Sequence, residues 1–141
     1  MRKLILTVAM ILMLAGSLWA ADAGTVTVTE ETSSYVKKVV FAWSQSSGGT
    51  AVKTTSGIYS GQIVRLVTVP SATAAPTDDY DVQVLDEDST DVLMGAGANR
   101  DTANTEQVLA SSLGYVANDL LTLSITNAGN AKAGTVYLYI R

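Results

Sequence analysis

Apolar and polar positions alternate most regularly near the end of the chain. Leu121, Leu123 and Ile125 point one way and Thr122, Ser124 and Thr126 the other, while Val136, Leu138 and Ile140 point away from Tyr137 and Tyr139. A period of two marks extended chain, and two such runs in succession predict a hairpin with one dry face. Residues 127–134 between them are rich in glycine, asparagine and alanine, which accept the positive φ of a turn and carry little side chain to pack. An isolated hairpin is marginal in water, so the preceding chain is expected to supply a second layer over its dry face.

The same period recurs upstream. Val26 and Val28 alternate with threonines and predict a first, edge strand, with a turn at residues 30–34. Residues 35–45 predict a longer strand whose core face carries Val39, Phe41 and Trp43, the last expected to need a partner for its indole nitrogen. Residues 51–56 predict a short edge strand, glycines punctuate 57–61, and residues 62–69 predict another strand. Arg65 interrupts the alternation there, so Val64 and Leu66 are expected inward, with a bulge able to change the register before Val69. Pro70 closes this strand. Val82 and Val84 mark one strand of a second hairpin, turned at residues 87–90 and returning over residues 91–95. Residues 95–104 predict a weakly packed, mobile surface connection. Residues 106–116 fit two periods: Leu109, Leu113 and Val116 have helical spacing, whereas Gly114 and the turn at Asn118-Asp119 favour extended chain.

Strands separated by loops rather than by helical crossovers predict an all-β fold, an antiparallel β-sandwich of jelly-roll-like or immunoglobulin-like kind. A small closed β-barrel is the alternative, because it too makes a dry interior from alternating strands.

Composition adds a leader. Arg2 and Lys3 precede an apolar run from Leu4 to Leu14, and small residues at Ala20, Ala21 and Ala23 offer cleavage points. Residues 1–20 therefore read as a signal peptide, with a retained anchor as the alternative, and residues 21–141 as a single β domain exported to the periplasm or the exterior. The apolar run is shorter than the ~20 residues that span a bilayer, so no stable membrane insertion is expected after the signal is removed. The 141-residue chain has 13 acidic and 9 basic residues. Loss of Arg2 and Lys3 leaves 7 basic against 13 acidic groups, a net charge of -6 that opposes nucleic acid and anionic membranes.

The chain contains neither histidine nor cysteine. Ser-His-Asp hydrolysis, thiol chemistry, thiolate zinc sites and lipid modification of cysteine are therefore unavailable, and packing and hydrogen bonds alone must hold the fold. No phosphate-cradling or dinucleotide motif opens a helix. Asp86, Asp88 and Asp91 are the calcium candidates, since closely spaced oxygen ligands suit that ion, although the run lacks the glycine and glutamate of an EF-hand loop. Asp81 with Asp91 is the carboxylate pair that a glycoside hydrolase would need. Tyr137 and Tyr139, opposite the dry face, are expected to be partly exposed and to form an interaction surface. The edge at residues 26–28 is a second place where another copy can pair.

Val39-Val40-Phe41-Ala42-Trp43, Tyr59-Ser60-Gly61-Gln62-Ile63, Tyr80-Asp81-Val82 and the run from Ile125 to Ile140 together resemble a small β-rich protein family of tailed phages and prophages, here with an added export signal. The resemblance implies a virion-associated domain and brings no catalytic or ligand residues with it. The expected function is thus a non-enzymatic structural or interaction module, a phage-like virion or surface-assembly component, with no cofactor and with a protein partner or further copies of itself. The alternative is a secreted carbohydrate-binding or adhesion β-sandwich, calcium-dependent in one form, with a glycan as partner. A carboxylate-based glycoside hydrolase stands third.

Overall fold

The computed structural model describes residues 24–47 and 49–141. The leader and its cleavage points lie outside the described residues. Seven strands follow in order: β1 (Thr25–Ser33), β2 (Val36–Ser44), β3 (Ala51–Pro70), β4 (Asp81–Leu85), β5 (Glu106–Leu109), β6 (Tyr115–Thr126) and β7 (Ala133–Ile140). All pairings are antiparallel. The described chain is all-β, with one short 3-10 turn, Ala110–Ser112, between β5 and β6. Of the two periods read over residues 106–116, the extended one prevails.

The order β1-β2-β7-β3-β6-β4, with β5 also on β3, is that of one open sheet folded over on itself. β3 makes the fold possible. Its residues Ala51 to Gln62 pair with β6, and its residues Ile63 to Pro70 pair with β7 on one side and, over Arg65 to Thr68, with β5 on the other. The molecule is therefore a sandwich. A larger layer of β1, β2, β7, the second half of β3 and β5 faces a smaller layer of the first half of β3, β6 and β4. The two strands read at 51–56 and 62–69 are one strand of 20 residues. It bends where the ladder shifts register, between Thr54 and Ile58 and between Tyr59 and Ser60. Gly61 has φ +134°, and a Cβ there would collide with the Arg141 carbonyl, so only glycine permits this close approach of the chain end. A further shift between Ile63 and Arg65 turns both Ile63 and Leu66 inward. The bulge thus lies before Arg65 rather than between it and Val69, and Ile63, not Val64, turns inward beside Leu66, because the extra residue at the bulge shifts the strand's parity.

The runs at 121–125 and 136–140 do not form the expected hairpin. β6 pairs with β3 and β4, whereas β7 pairs with β2 and β3. Residues 127–134 instead carry the chain from one layer to the other. Leu121, Leu123 and Ile125 on one layer and Val136, Leu138 and Ile140 on the other are all within 1% of complete burial and belong to one core cluster. Each run covers the other's dry face, which satisfies the same hydrophobic demand as a hairpin set against a third element.

The second hairpin is reduced to a single antiparallel bridge, Leu85 with Asp91. Beyond the turn, residues 91–100 form turns laid along the outer edge of β4: Val92 N donates to the Val84 carbonyl at 2.8 Å, Val82 N to Gly97 O at 2.8 Å and Arg100 N to Tyr80 O at 2.7 Å. Gly97 is buried, and a Cβ on it would meet the Val82 carbonyl. The connection read as weakly packed thus covers an edge that would otherwise be open to foreign strands. The first strand runs to Ser33, past the expected break, and turns through Ser34 at φ 55°.

A closed barrel is not formed. Its seam would lie between β1 and the first half of β3, where Gly24 N donates to Thr50 O at 3.2 Å but no ladder follows. Farther along, the Glu30 side chain packs against Gly57 in the place a strand pairing would take. Val39, Phe41 and Trp43 are buried as expected, at 0, 0 and 3% exposure. The indole nitrogen of Trp43, however, has no hydrogen-bond partner among the described residues. The ring is held by apolar contact instead, its centroid 5.8 Å from that of Tyr80 at an interplanar angle of 46°.

Candidate functional site

Strand parity fixes what the larger layer shows to the outside. On β7 the inward set Val136, Leu138 and Ile140 leaves Tyr137 and Tyr139 outward, and both are half-buried. Register then chooses their neighbours. Tyr137 lies between Val40 of β2 and Val67 of β3, and Tyr139 between Lys38 and Arg65. Val67 is only 7% exposed although it faces outward, so the centre of this face is apolar and largely covered.

Two cations frame the rings. Lys38 Nζ stands 5.1 Å from the Tyr137 ring centroid, and the Arg65 guanidinium carbon 5.4 Å from that of Tyr139. Contacts of this kind hold the rings in place. Lys38 donates to Glu31 Oε2 at 3.2 Å, and Arg65 Nη2 to Gln107 Oε1 at 2.7 Å. The hydrogen bond it donates to Glu31 is the main reason that the Lys38 ammonium is held above its ordinary pKa. Arg65 forms no ion pair with any described residue. The face is partly apolar at its centre, with the Arg65 guanidinium at its side unpaired by any described carboxylate.

The carboxylate candidates are placed differently. Asp81 and Asp91 do line one cleft, of about 280 Å³, together with Gln83, Gly95, Ala98 and Thr126. All four of their oxygens are already acceptors. Asp81 takes Asn99 N at 3.0 Å and Asn127 Nδ2 at 2.6 Å, tying β4 to the loops at its end. Asp91 takes Val84 N at 3.3 Å, Leu93 N at 3.0 Å and Gly95 N at 2.9 Å, which pins the turns along the β4 edge. Both carboxylates thus act as acceptors that tie down the sheet edge. Asp86 spends one oxygen on Thr90 N at 2.7 Å within its own turn, and Asp88 is exposed on that turn. Among the described residues no three acidic side chains converge as a metal site would require.

Comparison of the chain with protein-family models, with curated proteins and with solved structures finds no match. The candidate site rests on its own geometry.

The tyrosines were legible from alternation. Lys38 and Arg65 were not, because they reach Tyr137 and Tyr139 only through pairings between strands far apart in sequence. On the smaller layer the outer face carries Val52, Ile58 and Tyr115 at 54, 56 and 71% exposure. A hydroxyl pair, Thr54 with Thr122 at 2.8 Å, lies among them.

Proposed function

We propose that this chain is a non-enzymatic structural or interaction module that holds a protein partner on the outer face of its larger layer, in an exported or virion-like surface assembly. The observation that carries the reading is the Tyr137–Tyr139 pair, half-buried on a sheet face and framed by Lys38 and Arg65. Tyrosine and arginine are the residues that give most contact energy for least lost side-chain freedom at protein interfaces. The absence of histidine and cysteine from the sequence, together with carboxylates already engaged by backbone donors, supports a role without catalysis.

A glycan-binding module would use the same two rings by stacking sugars on them. Lys38 and Arg65 already stand over those rings, which favours a protein partner over a sugar. The test is site-specific photocross-linking in the setting where the chain assembles. A benzophenone side chain at position 137 is expected to give a discrete protein adduct, and one at position 52 on the other layer is not. Equal yields from the two positions, or no adduct from position 137, would remove this reading.

A further inference from the structure

Charge is divided unevenly between two parts of the chain. Residues 78–106 hold nine carboxylates and one cation, Arg100, whereas the remaining described residues hold six cations and three carboxylates. The fold gathers most of these carboxylates along the outer edge of the smaller layer. Residues 78–106 comprise β4, the outer strand of the smaller layer, with the loops along its edge and the start of β5. Lys38 and Arg65 lie on the outer face of the larger layer. Glu87 and Asp88 are exposed at the turn after β4 and form no ion pair with described residues, as Arg65 forms none. With the two layers back to back, these charges do not meet within one copy.

From this separation we infer that the partner on the tyrosine face is a second copy of this chain, presenting the acidic turn at residues 86–88 to Lys38 and Arg65 while Tyr137 and Tyr139 supply the apolar contact. The inference rests on the reading of that face as a contact surface. Two different surfaces meet, so the contact is head-to-tail. Each copy added leaves one face and one rim unused, and growth continues into a ring or a filament. Two equivalent faces would each bring an unpaired Arg65 guanidinium and no carboxylate free to meet it, which disfavours a two-fold dimer through the tyrosines. The β4 edge is covered by residues 91–100, so charged side chains of the turn, not added strands, make the contact on that side.

Sedimentation of the purified protein tests this directly. The mean mass is expected to rise with concentration at low ionic strength and to fall to that of the monomer in ~1 M salt, where screening acts within about 3 Å. Lys38→Gln/Arg65→Gln and Glu87→Lys/Asp88→Lys are each expected to be monomeric, with far-ultraviolet dichroism like that of the parent. An equimolar mixture of the two variants has one live face and one live rim, and is expected to yield a two-copy complex and nothing larger. The inference is overturned if the parent stays monomeric at low salt, if both variants keep the parent's mass, or if the folded variants do not combine. An adduct from position 137 to a different protein, with the parent monomeric, would overturn the self-assembly and leave the interaction module standing. No adduct and no assembly would remove both.

Discussion

Burial sets the ionisation of two tyrosines, and with it the response of the molecule to alkali. Tyr59 is 1% exposed, and loss of solvent pushes its phenol far above the ordinary value, with the Glu30 carboxylate beside it adding to the shift. Its hydroxyl has no well-formed hydrogen bond. Tyr80 is raised by burial too, against the opposing effect of a hydrogen bond with Thr68. In the unfolded chain both phenols release their protons near pH ~10, while the folded state retains them. Above that pH the unfolded state binds fewer protons than the native state, so stability falls as pH rises and is unaffected by these groups below it. Tyr59→Phe is expected to match the parent in urea melts at pH 7 and to lose stability less steeply from pH ~10 upward. Parallel loss in the two proteins would contradict the assignment. Gly97 answers to a different constraint, the Val82 carbonyl beside it. Gly97→Ala is expected to cost about 1–3 kcal/mol by chemical denaturation, because the strand or the loop must move to admit a methyl group.

At the scale of elements, alternation reports which side of a strand is dry and is silent about what lies beside it. Val39, Phe41, Val82, Val84, Leu121, Leu123, Val136 and Leu138 are all buried where the period of two places them. The pairing of their strands is another matter. The ladder between β6 and β7 suggested by adjacency gives way to an arch between layers, since either arrangement buries the same six side chains. Val92 and Leu93 are buried, as a return strand over residues 91–95 would bury them, yet past the Leu85–Asp91 bridge the segment runs in turns. What holds that segment in turns is the Asp91 carboxylate, accepting from three backbone N–H groups on both sides of the connection. Asp91→Ala is expected to cost about 1–3 kcal/mol and to speed amide exchange at Val84, Leu93 and Gly95, leaving the β1–β2 amides protected. Unchanged exchange at those three amides would show that the carboxylate does not hold the edge.

For the whole molecule, β3 is the shared member of both layers, and the core between them is a single cluster. Neither layer keeps its interior dry without the other. Leu123→Ala in the smaller layer and Leu138→Ala in the larger are each expected to cost about 2–5 kcal/mol, a large share of the ~5–15 kcal/mol typical of a domain. Both substitutions are expected to preserve a single transition, with Trp43 fluorescence in a Trp19→Phe chain coinciding with far-ultraviolet dichroism. Separate transitions would mean that the layers fold independently. The uneven distribution of charge also belongs to this scale, because only the stacking of the layers sets the acidic rim and the Lys38–Arg65 face apart.

Much was present in the sequence itself: the all-β class, the inward and outward sets of most strands, the outward Tyr137 and Tyr139, and the lack of histidine and cysteine chemistry. These are properties of one strand or of composition, and solvent enforces them wherever the strand lies. The tertiary structure alone decided that residues 51–70 form one bent strand, that β6 and β7 oppose each other across the core, and that Lys38 and Arg65 bracket Tyr139. Backbone hydrogen bonds are the same at every residue, so many registers satisfy them. The choice falls to the arrangement that closes the whole core at once, and no local stretch of sequence contains that sum.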